Sequence, residues 1–341
     1  MSIENEKAFE EFLNQQQDEA WASALTNLLP SIHEVDRNAT KIWFAFYPVS
    51  LWRALKLSPD AESLMKRLLM QGDFYLKDQI DSSHRFLYGH RYWPEVKRAV
   101  LEHAANFTDA PGALLAGQIK MVAGDAAKRA GAPESLLSGI TAVAFMTVLQ
   151  AGFDAFKSSQ GTVQIDRKHA KKSPEQILAE RAKDDSQGLF GFLKTVDKEW
   201  TVTYNENEAG ARFKLISGEE LASAAARDRS RDWRSLDARC VEGPIPVECR
   251  AASCGTCWVG VLGGAEKLSP VGRLEGRRIK EFGYINTDEP KPVIRLACMA
   301  QASGAVSIVI PLWNAQFGKY LNEKNEGEGL EAEATEQEVS N

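Results

Sequence analysis

The sequence predicts an α+β protein, a helical N-terminal domain joined by a linker to a smaller, strand-rich domain. Three observations carry this. Apolar residues recur at spacings of three and four through residues 1–157, the amphipathic helix signature. From about residue 200, short apolar runs bounded by glycine and polar turns take over. All five cysteines lie in that second part, three of them within nine residues. A length of 341 residues fits about two domains, and 44% apolar with 26% charged residues is the composition of a globular protein.

Taken in order, Glu6–Gln16 and Ala20–Leu29 place Phe9, Phe12 and Leu13, then Trp21, Leu25, Leu28 and Leu29, on helical faces, and Pro30 ends the second run. Thr40–Leu57 is rich in aromatics and is broken or kinked at Pro48. Ser58-Pro59 reads as an N-cap followed by proline at the first helical position, opening a helix that runs to about Gln71 and stops at Gly72. Further helices are expected over Trp93–Asn106, Ala110–Arg129 and Pro133–Phe156. Leu136–Phe153 carries no charge over 18 residues, the lower length limit of a membrane span. Its Ser138, Gly139, Thr141, Thr147, Gln150 and Gly152 favour a helix apolar all round because it is buried in an all-α domain.

Residues 158–199 read as a linker containing one short helix, opened by the capping box Ser173-Pro174-Glu175-Gln176. The apolar stretch Gly188–Leu193 is either a contact between domains or a local turn. Trp200–Asn205 and Ala211–Leu215 then form two strands, and Ser217-Gly-Glu-Glu220 reads as a second capping box opening a helix over Glu219–Arg227. The tail, residues 322–341, carries seven glutamates against one lysine without apolar periodicity, so disorder is expected.

The chemistry centres on Cys249, Cys254 and Cys257, spaced C-x4-C-x2-C, with Cys298 downstream in Arg295-Leu-Ala-Cys298. That is the plant-type ligand spacing for a [2Fe–2S] cluster. The small residues between the thiols (Ala251, Ala252, Ser253, Gly255, Thr256) let backbone N–H groups approach the sulfurs, and such donors help set a cluster's potential. The rival is a four-cysteine zinc site, usually built from two C-x2-C-like pairs, whereas only one such pair is present. Cys240 fits no ligand spacing and reads as a plain thiol.

Residues 200–321 resemble the plant-type [2Fe–2S] ferredoxin domain, a β-grasp fold. The resemblance rests on Cys249, Cys254 and Cys257, the strand-like Trp258-Val-Gly-Val-Leu262, Arg295-Leu-Ala-Cys298, and Gly304–Pro311 as a closing strand. It implies that Cys249, Cys254, Cys257 and Cys298 ligate one [2Fe–2S] cluster and that the protein transfers single electrons. The forty residues between Cys257 and Cys298 exceed the family's usual length, which predicts an inserted loop near Leu268–Pro290. The helical part resembles no family.

Charge refines this. Residues 200–321 hold sixteen Lys/Arg against fourteen Asp/Glu, unlike the acidic surface of a freely diffusing plant ferredoxin. Arg227, Arg229, Arg231, Arg234 and Arg239, with Arg273, Arg277, Arg278 and Lys280, would form a basic rim suited to an acidic partner, or else an ordinary solvated face broken by Asp228, Asp232 and Asp237. A dedicated electron-transfer subunit or partner of a larger redox enzyme is therefore expected. The alternatives are a redox or iron sensor governing what the helical domain binds, or a helical domain with its own cofactor. His33, His84 and His90, near Asp36, Asp81, Arg85, Tyr88 and Trp93, admit a metal or haem site, a partner surface, or a buried polar network. No dinucleotide, phosphate-loop or nucleophile-elbow motif and no second cysteine set occurs, and nucleic acid binding is not expected. Thiols unpaired in disulfides and the lack of a secretory signal at the N-terminus point to the cytoplasm.

Overall fold

The computed structural model describes residues 2–108, 112, 114–185, 198–283 and 289–320. It is α+β, with a helical N-terminal region followed by a mixed sheet region. The expected Gly188–Leu193 stretch and the acidic tail lie outside the described residues, as do parts of the linker and of the Leu268–Pro290 insertion.

Backbone contacts divide the chain into two compact units. The first comprises residues 1–49, 74–183 and 203–212. Its helices are α1 (Ser2–Gln15), α2 (Asp18–Leu28) and α3 (Glu34–Phe46), then, after α4 (Val49–Leu57) and α5 (Ala61–Arg67), α6 (Trp93–Ala105), α7 (Leu115–Ala130), α8 (Ser138–Ala151), α9 (Phe153–Ser158), α10 (Arg167–Ala170) and α11 (Pro174–Ala182). The uncharged segment is the middle of this unit. Every residue of α8 from Ser138 to Leu149 is buried, so its apolar character faces other helices on all sides. Gly139 is required there: a Cβ would lie 2.4 Å from the Thr40 Oγ1 on α3. Among the described residues no helix is long and apolar enough to cross a membrane. Gly152, at φ 88°, separates α8 from α9 and divides what the periodicity reads as one helix.

Local chemistry explains several boundaries. Pro48 lies between α3 and α4, because a ring without an N–H cannot continue the ladder. The capping box of α11 forms as expected, with Gln176 N–H on the Ser173 hydroxyl and Ser173 N–H on the Gln176 side chain. The cap of α5 does not. Asp60 is the N-cap, accepting the Ser63 N–H at 2.9 Å, while the Ser58 hydroxyl accepts the Asp60 N–H at 3.3 Å just outside the helix. That helix ends at Arg67 rather than Gln71, with Leu69 in the left-handed region at φ 52°.

The second unit comprises residues 50–73, 184–202 and 213–341, so most of α4 and all of α5 cluster with the C-terminal sheet rather than with the other helices. Two short ladders flank a five-stranded sheet. One joins β1 (Gln71–Gly72) to β9 (Trp313–Asn314), the other β4 (Glu219–Glu220) to β7 (Gln301–Ala302). The sheet holds β2 (Glu199–Thr203), β3 (Arg212–Ile216), β5 (Trp258–Gly263), β6 (Ile294–Leu296) and β8 (Val306–Val309) in the order β3-β2-β8-β5-β6. Gly72, at φ 79°, belongs to the first ladder, where a Cβ would collide with the Leu312 carbonyl at 2.1 Å.

Among the described residues this unit also contains α12 (Leu221–Ala225), α13 (Trp233–Leu236) and α14 (Arg273–Phe282). The expected Glu219–Arg227 helix is shorter than its sequence suggests. Ser217 does not cap it; the Glu219 carboxylate turns back to accept the Ile216 N–H at 3.0 Å, and Glu219–Glu220 pair as β4. The expected inserted loop contains a regular helix, α14, whose Glu275, Ile279 and Phe282 are buried at spacings of four and three.

Candidate functional site

Strand register brings the last two cysteines together. In the antiparallel pair of β5 and β6, Trp258 lies opposite Leu296. The next step outward joins the Ala297 N–H to the Cys257 carbonyl at 2.9 Å, so Cys298 follows directly on the residue facing Cys257. Trp258 anchors this end: its fully buried indole donates to the Trp313 carbonyl at 3.0 Å and packs on the Trp313 ring 5.2 Å away. Trp313, and Gln316 just beyond it, are site-building residues that no motif announces. The Gln316 amide donates to the Cys254 carbonyl at 2.9 Å, while its backbone N–H donates to the Leu68 carbonyl at 2.7 Å.

The loop before β5 is unusually shaped. Arg250 (φ 52°), Ala252 (φ 54°) and Gly255 (φ 76°) are left-handed, and for the two that carry a Cβ this costs about 1–2 kcal/mol each. The alternation of hands turns successive N–H groups to the inside of the loop, the arrangement known as an anion nest. Here those groups point at sulfur. The N–H of Ala251 and that of Ser253 donate to the Cys249 Sγ at 3.4 and 3.3 Å, and the N–H of Ala252 bonds to Cys298. The Thr256 hydroxyl lies 3.2 Å from the Cys254 Sγ.

The four thiols associate in pairs. Cys249 hydrogen-bonds with Cys254, and Cys257 with Cys298. Burial opposes the Cys249 thiolate, but hydrogen bonds from the Ser253 side chain, the Ala251 N–H and Cys254 outweigh it and bring the group down to about 6. In the inner pair the mutual hydrogen bond raises Cys257 and lowers Cys298. Among the described residues no three His, Cys, Asp or Glu side chains converge closely enough to hold a single metal ion. Cys249 and Cys254 are half-buried, while Cys257 and Cys298 are buried. Cys240 stands apart: burial pushes it up to about 12, and its thiol donates to the Pro244 carbonyl at 3.4 Å.

The basic residues expected at the rim divide into tied and exposed ones. Arg227 pairs with Glu219, Arg277 and Arg278 pair with Glu281, and Arg231 sits over the Trp233 ring at 5.7 Å. The Arg239 side chain is largely covered, held by Asp237 and the Pro311 carbonyl. Arg229, Arg234 and Arg273 are exposed and make no ion pair among the described residues; Lys280 is also exposed.

The histidines form a closed network. His84 Nε2 faces the Ile80 carbonyl at 3.1 Å, an acceptor, so that nitrogen carries the hydrogen and Nδ1 is the lone pair. His90 Nδ1, 3.0 Å from that lone pair, is therefore the donor, and His90 Nε2 accepts the Gln164 N–H at 3.3 Å. All four ring nitrogens are used, which leaves none for a metal or haem. Burial lowers both groups, His90 to about 4, so both are neutral. His33 instead caps α3, its Nδ1 accepting the Val35 N–H. Tyr88 and Trp93 are buried, so neither anchors a partner at the surface. Asp36 completes the network, accepting the N–H groups of Tyr88 and Gly89 at 2.6 and 2.7 Å; burial raises it to about 6.

No family model, curated protein or solved structure matches this chain.

Proposed function

We propose that the sheet unit is a β-grasp domain of the plant-type ferredoxin kind, with Cys249, Cys254, Cys257 and Cys298 as ligands of one [2Fe–2S] cluster, and that the protein carries single electrons to or from a dedicated redox partner. The observation that carries this reading is the N–H lining of the loop: Ala251, Ala252 and Ser253 direct donors at sulfurs of the first and last cysteines. Backbone donors to thiolate stabilise negative charge on a ligand set and shift its potential. A disulfide-forming or merely structural thiol needs no such lining.

Two features support the same reading. Each iron of a two-iron cluster takes two protein thiolates, and the thiols stand as two pairs. A lone tetrahedral zinc needs four thiols around one point. The sheet order is also the one expected of a β-grasp: numbered along the chain, its strands lie second, first, fifth, third, fourth, and α12 follows the second.

When bound, the cluster supplies reversible one-electron chemistry. The chain's residues define its surroundings. Buried Trp258 and Ala252 keep water from the inner side, the nest N–H groups favour the reduced, more negative state, and half-buried Cys249 and Cys254 mark the side from which a partner has access. Exposed Arg229, Arg234 and Arg273 favour an acidic partner and speed its approach. The test is an anaerobic dithionite titration of the full chain after incubation with iron and sulfide. Bleaching of a visible spectrum with one electron per chain supports the proposal. A colourless chain, or one taking up two electrons as a disulfide does, refutes it.

A further inference from the structure

We propose that Glu275, through its ion pair with Arg295, is the positioning residue for Cys298, so that α14 fixes the arm carrying the fourth ligand. This rests on the reading of the four cysteines as a ligand set. Both side chains are sealed from water, Glu275 at 1% and Arg295 at 3% exposure. Arg295 donates from Nε and Nη2 to the two carboxylate oxygens at 2.8 and 2.9 Å, and from Nη1 to the Ser269 carbonyl at 2.8 Å. The same carboxylate accepts a third bond, from the Leu296 N–H at 3.0 Å.

That third bond locates the clamp. A buried ion pair is weak evidence for stability, because desolvating two charges offsets most of their attraction and an apolar pair of similar volume often serves as well. An apolar pair would not hold the Leu296 N–H. Leu296 is the last residue of β6, and its carbonyl accepts the N–H groups of Met299 and Ala300 at 2.9 and 3.0 Å, closing a tight turn around Cys298. Leu296 is thus gripped on its N–H side by Glu275 and on its carbonyl side by the turn that presents the cysteine. The strand is only three residues long; beyond it the turn is also held by the Ala297 N–H on the Cys257 carbonyl and by the Ala297 and Ala300 carbonyls, which accept the N–H groups of Ala222 and Leu221. The grip on the Leu296 N–H comes from a helix in the expected insertion, tied down by Ile279 and Phe282.

The test reads Cys298 directly, in the full chain without metal, by timed iodoacetamide labelling and peptide mass analysis. Glu275→Gln should label Cys298 about tenfold faster than wild type, as expected for loss of charged hydrogen bonds that gate local opening, while Cys249 labels at the wild-type rate. Because the single variant leaves an arginine buried without its counter-charge, the double variant Glu275→Leu/Arg295→Met is measured beside it; it restores an apolar interior while still freeing Leu296. A double variant that melts like wild type yet labels Cys298 faster establishes positioning. A double variant that melts and labels like wild type overturns it, as does unfolding of both variants, which would make the pair a general support of the fold. Iron loading of the wild-type chain is scored separately: a chain that takes none refutes the ferredoxin reading and leaves the labelling result to be judged by itself.

Discussion

Two regions of this protein aim backbone N–H groups at anionic or lone-pair acceptors, and they differ in what they leave over. In the helical unit, Asp36 takes the N–H groups of Tyr88 and Gly89, and each nitrogen of His84 and His90 has a partner within the chain. In the sheet unit, Ala251 and Ser253 donate to the Cys249 Sγ and the Thr256 hydroxyl lies against the Cys254 Sγ, while the four thiols stand half-buried or buried beside one another. A network whose donors and acceptors all match is a structural device. One that concentrates donors on soft, ionisable sulfurs is prepared for a positively charged guest. On the proposed function, the same local physics marks a sealed junction in one place and a ligand site in the other.

The strongest way to break that contrast is to remove one acceptor from each side. Cys298→Ser should abolish retention of bound iron while leaving the helical unit's thermal transition in place, as read by iron analysis beside a melting curve. Asp36→Ala should do the reverse. It orphans two buried N–H groups and removes the charge facing Arg181, for a loss of about 3–5 kcal/mol in denaturant unfolding with iron uptake per folded chain unchanged.

Titration sharpens the contrast further. His84 and His90 are held below their ordinary value, so the unfolded chain binds more protons than the folded one between about pH 4 and 6.5. Their effect is full stability above pH 6.5 and a progressive loss on acidification, roughly 3 kcal/mol for His90. Asp36, raised to about 6, acts in the opposite direction: it binds its proton first in the folded state and returns part of that loss as pH falls from 6 towards 4. Melting should therefore weaken between pH 6.5 and 4, and His90→Gln should flatten the decline; an unchanged slope in the variant would show that the histidine is not the responsible group. The smallest effect is expected for Gln316→Ala, which removes the amide's bonds to the Cys254 and, at the edge of bonding distance, Ser253 carbonyls and should cost about 1 kcal/mol, seen as slightly faster hydrogen exchange in the loop.

How much of this was legible in the sequence follows from the range of the interactions involved. The C-x4-C-x2-C spacing, the strands at Trp258 and Val306, the Ser173 capping box and the burial of α8 are local or periodic, and a linear reading reaches them. The caps at Ser58 and Ser217 were misplaced because each helix starts later than the pattern suggests: Asp60 caps α5 through the Ser63 N–H, and Glu219–Glu220 are drawn into a strand pairing. Gln316, Trp313 and Glu275 were invisible because each acts across a long chain separation, through register or helix packing rather than through any pattern of its own. The assignment of residues 50–73 to the sheet unit has the same origin, since α4 and α5 carry helical periodicity whatever they pack on. Their spacing predicts a helix and is silent about its neighbour.

The central claim is that these four thiols hold two irons bridged by sulfide, and it is tested most directly by counting. Full-length protein should be incubated anaerobically with ferrous iron and sulfide, desalted, and assayed for iron, acid-labile sulfide and zinc per chain. About two irons and two sulfides per chain, with no zinc, is the predicted result. One zinc per chain without sulfide, or iron that passes through the column unbound, would contradict the account.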